Sequence, residues 1–97
     1  MNPMATRALT EATLKHRIGL TVKRYRECSG LTQAGLARKA GITPTALCYI
    51  ESGRTANIAT LYKVTRCLGL CLNELFAMVE MPEKQAAAEA IRLIRSM

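Results

Sequence analysis

The residues able to do chemistry in this 97-residue chain are few and unevenly balanced. Its seven acids, Glu11, Glu27, Glu51, Glu74, Glu80, Glu83 and Glu89, include no Asp, and the one imidazole is His16. Acid–base or nucleophilic catalysis needs a titratable group oriented by a partner. The chain is therefore expected not to be an enzyme, and no catalytic residue, cofactor or metal is assigned. Cys28, Cys48, Cys67 and Cys71 are even in number, but only the last two are close in sequence, where a zinc site would want a second close pair. The four are read as reduced, mostly packing residues, because an unpaired cysteine behaves as a small hydrophobe.

Cations are in excess instead. Fourteen Lys and Arg leave a net charge of +7, and six of them fall in residues 1–30 against two Glu. Such a surplus seeks a polyanion, since each phosphate neutralised releases a condensed counterion; double-stranded DNA is the expected partner. No apolar run approaches the roughly 18 residues of a membrane span. Arg7, Glu11, Lys15 and Arg17 interrupt the stretch that a signal peptide would keep apolar, so no membrane partner and a cytoplasmic location are expected.

The elements that must carry these charges are short helices. Gly30, Gly41, Gly53 and Gly69 each follow a segment of helical spacing, as residues that end a helix do. Thr32, Thr43 with Pro44, and Asn57 follow three of them and suit helix starts. Apolar positions give one stripe per helix: Leu14, Ile18, Val22 and Tyr25; Leu36, Ala37 and Ala40; Leu47 and Ile50; Ile58, Leu61, Val64 and Leu68; Leu72, Leu75, Phe76 and Val79. Tyr25 and Tyr62 are read as packing at the core edge. Gly35 denies Thr32 a full capping box, and Cys71 is a poor cap, so the start of the fifth helix should be weak. No strand is expected, and the fold class is all-α.

Residues 1–12 read as an arm, 13–80 as the domain, and 81–97 as an amphipathic helix opened by Pro82. That last helix offers Ala87, Ile91 and Ile94 for self-association or partner contact. Between Thr32 and Ser52 lie two helices of about nine residues joined by Gly41-Ile42-Thr43. In such a helix-turn-helix the first helix rests on the phosphate backbone while the second projects into the major groove.

This arrangement resembles the Xre family, the Cro and phage-repressor type of DNA-binding domain, over residues 17–78. The resemblance is carried by Leu31-Thr32-Gln33, Leu36-Ala37, Gly41-Ile42-Thr43, Ile50-Glu51-x-Gly53 and Leu61…Leu68-Gly69-Leu70…Leu72…Leu75-Phe76. It implies a five-helix domain that binds operator DNA, usually as a dimer, here with an added C-terminal helix. It further implies base contacts from Pro44, Thr45, Ala46 and Tyr49, and phosphate contacts from Gln33, Arg54 and Thr55. Arg26 and Glu51 would form a structural ion pair. Pro44 stands where many relatives place a polar reader, which shifts the readout toward Thr45, Tyr49 and DNA shape. The function expected is a sequence-specific transcriptional regulator, a repressor acting as a homodimer on a two-fold operator. The alternative is the antitoxin of a toxin–antitoxin pair, with a toxin as a further partner.

Overall fold

The computed structural model of the chain describes residues 9–55, 57–81, 92 and 95. Five helices follow one another: α1 Glu11–Cys28, α2 Gln33–Ala40, α3 Pro44–Glu51, α4 Ile58–Cys67 and α5 Leu72–Glu80. Among the described residues there is no strand, and the domain is all-α. No described helix is long and apolar enough to cross a membrane. Helix α1 already includes Glu11 and Ala12, which the sequence assigns to the arm. Of the added C-terminal helix only Arg92 and Arg95 are described, both helical and exposed; its residues Ala87, Ile91 and Ile94 lie outside the described residues.

Local chemistry starts each helix. Thr10, Thr32, Thr43 and Asn57 each accept a hydrogen bond from the backbone N–H three residues on, at 3.0–3.1 Å, which satisfies one orphan donor of the first turn. Pro44 opens α3, where its missing N–H costs nothing. The start of α5 is not left weak by Cys71: Glu74 reaches back and accepts from the Cys71 N–H at 2.9 Å, supplying the carboxylate half of a capping box.

The helices enclose one core of Ile18, Val22, Tyr25, Leu36, Ala37, Leu47, Ile50, Leu61, Val64, Leu68, Leu70, Leu75, Met78 and Val79. Helix α3 packs on α1 and α2, α4 packs on α2 and α5, and α5 returns to α1. Burial pushes the Tyr25 phenol up to about 12, and its hydroxyl donates to Met78 Sδ. Arg17 of α1 donates to the Val79 and Met81 carbonyls at 3.0 and 3.2 Å. It thereby brings a cation to the negative end of α5, whose own last turn has none.

Two expectations need correction. Ile58, placed in the α4 stripe, is 57% exposed, so helical spacing alone overstates how far the core reaches. Cys28, Cys48 and Cys71 are exposed and do not pack in the core, whereas Cys67 is half-buried and packs against it.

Candidate nucleic-acid interface

Helix α3 is held from beneath and open above. Leu47 and Ile50 are fully buried, whereas Pro44, Thr45, Cys48 and Tyr49 are exposed and Ala46 is half-buried. A spacing of three and four residues puts Thr45, Cys48 and Tyr49 on one face, one turn apart. That face is small and polar at Thr45 and Cys48 and aromatic at Tyr49, a mix able to meet base edges and thymine methyls in a major groove.

Three of the residues assigned to phosphate or pairing roles meet beneath this face. Arg26 grips the Glu51 carboxylate bidentately, Nε to Oε2 at 2.7 Å and Nη2 to Oε1 at 3.1 Å. Its remaining Nη1 donates to the Leu31 carbonyl at 2.8 Å. Gln33 Nε2 donates to the same Glu51 Oε1 at 2.9 Å. One carboxylate at the end of α3 therefore gathers side chains from α1 and α2. The Glu51 charge holds the Arg26 guanidinium above its ordinary pKa, and both side chains are nearly out of solvent. A planar fork on a planar carboxylate fixes orientation as well as distance. Arg26 is thus spent inside the protein rather than on phosphate, and Gln33 is half-buried with one amide N–H committed to Glu51.

The turn after α3 is the second element of the interface. Gly53 adopts φ +80°, its N–H donates to the Ile50 carbonyl, and the Arg54 N–H donates to the Tyr49 carbonyl at 2.9 Å. This pair of bonds is the Schellman ending of a helix. It brings residue 54 back beside residue 49, and the Arg54 guanidinium lies 5.1 Å from the centre of the Tyr49 ring. A guanidinium at that distance is attracted by the negative face of the ring. Thr55 is half-buried in the connection to α4.

The fold and this geometry coincide with a known family. The model of the helix-turn-helix family matches residues 22–75, over half of the chain. The chain belongs to the Xre-type helix-turn-helix family. It is accordingly a DNA-binding protein of the transcription-regulator kind. The solved structure of the Clp gene regulator ClgR from C. glutamicum is similar over 79% of this chain and 90% of that one, with a TM-score of 0.63 and 23% identity; it shares the fold. No curated protein matches the chain.

Sequence reasoning missed Cys48 as a member of the open face, because residue type suggested packing. Its position one residue after the buried Leu47 was the available signal. It also missed that Tyr49 and Arg54, given separate roles, are in contact.

Proposed function

We propose that this helix-turn-helix protein is a repressor that binds a two-fold operator as a homodimer, reading bases with Thr45, Cys48 and Tyr49. Pro44 and Ala46 line the same first turn and offer apolar contact. Arg54, with Thr55 beside it, engages phosphate, and Gln33 reaches phosphate with the donor it does not give to Glu51. The observation that carries this reading is the open face of α3 with its base-sized side chains, edged by a cation stacked on Tyr49.

Dimerisation follows from size. An eight-residue helix spans only a few base pairs, and two half-sites about one helical turn apart supply the missing specificity. The segment carrying Ala87, Ile91 and Ile94 is the proposed contact between copies. The antitoxin reading draws on that same segment, and nothing in the described residues favours it.

Binding-site selection from random duplex tests the proposal. A symmetric motif with half-sites one turn apart supports it; recovery of unenriched sequence, or of single half-sites by a sedimenting monomer, overturns it.

A further inference from the structure

Two glycines bring backbones together where side chains would ordinarily separate them. Gly19 lies buried in the middle of α1. A Cβ placed on it would stand 2.5 Å from the Ile50 carbonyl oxygen, 2.7 Å from that of Glu51 and 2.9 Å from the Glu51 carbonyl carbon. These are backbone atoms of the last turn of α3, so no side chain can swing aside to make room. One turn earlier on α1, a Cβ on Gly53 would stand 3.2 Å from His16 Cα and 3.4 Å from its nitrogen. His16 and Gly19 are three residues apart and share a helix face. The end of α3 therefore rests on a patch of bare α1 backbone, and each side of the contact lacks one Cβ.

Gly35 shows that this is not a general property of helical glycines here. A Cβ on Gly35 would meet only Thr32 Oγ1, at 3.1 Å. Alanine is the better helix former by up to about 1 kcal/mol, so Gly19 runs against local preference at a place where α1 meets the recognition helix backbone to backbone.

We propose that Gly19 and Gly53 are positioning residues for DNA reading: their backbone contact sets how far and at what angle α3 stands out from the body, and hence where Thr45 and Tyr49 meet the groove. The Arg26 fork on Glu51 fixes the same helix end in rotation, and the glycine seat fixes its height. The inference rests on the DNA-binding reading above, and its test separates the two.

The full chain is compared with Gly19→Ala, Gly53→Ala and the control Gly35→Ala in two measurements. One is the ratio of affinities for the selected and a random duplex. The other is the set of amide residual dipolar couplings in the DNA-free protein. Gly19→Ala is expected to keep a cooperative unfolding transition and to lower the ratio by roughly tenfold or more. Its random-duplex affinity should stay within about threefold, because phosphate contacts tolerate small shifts. Its α3 couplings should no longer fit the parent orientation, while those of α5 should. Gly53→Ala should act in the same direction, and Gly35→Ala should change neither readout.

A folded Gly19→Ala with unchanged ratio and couplings overturns the proposal, and so does a Gly35→Ala that shifts both. If Gly19→Ala does not fold, Gly53→Ala decides by the same two readouts, read against Gly30→Ala, which carries the same left-handed strain at φ +73° with nothing within 4 Å of its added Cβ. If the parent protein prefers no duplex, the DNA reading fails on its own, and the couplings alone judge the seat.

Discussion

Helices α2 and α3 end in the same way and are followed by residues of opposite character. After α2, Gly41 at φ +71° lets the Ile42 N–H reach the Ala37 carbonyl at 3.0 Å, and Ile42 packs against the core. After α3, Gly53 makes the equivalent pair of bonds, but the next residue is Arg54, exposed and stacked on Tyr49. The same backbone ending recurs after α1 and α4, where Leu31 and Leu70 take the apolar place. A Schellman motif usually adds a hydrophobic contact between the residue after its glycine and the last turn. Three endings use that contact for folding. The fourth keeps the geometry and replaces the contact with a cation on a ring, so a stop signal has become part of the proposed binding surface.

This contrast can be broken or sharpened by substitution. The largest effect should come from the support under the outward ending: Arg26→Ala leaves the Glu51 carboxylate buried without its partner. It should cost about 3–5 kcal/mol in urea unfolding; a loss below 1 kcal/mol would show that Glu51 does not need Arg26.

Tyr49→Ala should weaken binding to the selected duplex by about 1–3 kcal/mol with little change on random duplex. Because Tyr49 and Arg54 touch, the double variant should lose less than the sum of the single losses. Strict additivity in fluorescence anisotropy titrations would mean that the stacking in the unbound protein has no part in binding.

Ile42→Ala, at the inward ending, should lower unfolding stability by about 1–2 kcal/mol, as expected of a half-buried aliphatic. Its discrimination between duplexes should stay as in the parent. A variant that folds with full stability but reads DNA poorly would erase the distinction between the two endings.

Arg54→Ala should show the smallest stability change, within about 0.5 kcal/mol. It should weaken selected and random duplex alike and reduce the log–log salt slope by about one per subunit. An unchanged slope would remove Arg54 from the phosphate contacts.

How much of this was legible in the sequence follows the range of the interactions. Helix ends were readable because Gly41, Gly53, Thr32 and Thr43 act on backbone groups only a few residues away. The core stripes were readable where a helix is covered along its whole length, as for Ile18, Val22 and Tyr25. They misled at Ile58, where spacing gives direction but not the extent of the neighbouring helices. The grip of Arg17 on α5 spans 62 positions, and nothing near Arg17 in the chain announces it. Gly19 was equally silent: a glycine inside a helix marks a close approach only once its partner is known. The pairing of Arg26 with Glu51 was legible through family resemblance, together with the physical oddity of a carboxylate at a helix C-terminus.

The hub at Glu51 has a consequence for how such a protein can diverge. The bonds that orient α3 converge below it, on Arg26 and Gln33, while Thr45 and Cys48 face solvent. Frame and lettering are thus written on opposite sides of one short rod. On the proposed reading, new lettering can be tried at positions 45 and 48 while the frame stands, so a lineage carrying this scaffold can acquire a different genomic address without first rebuilding its domain.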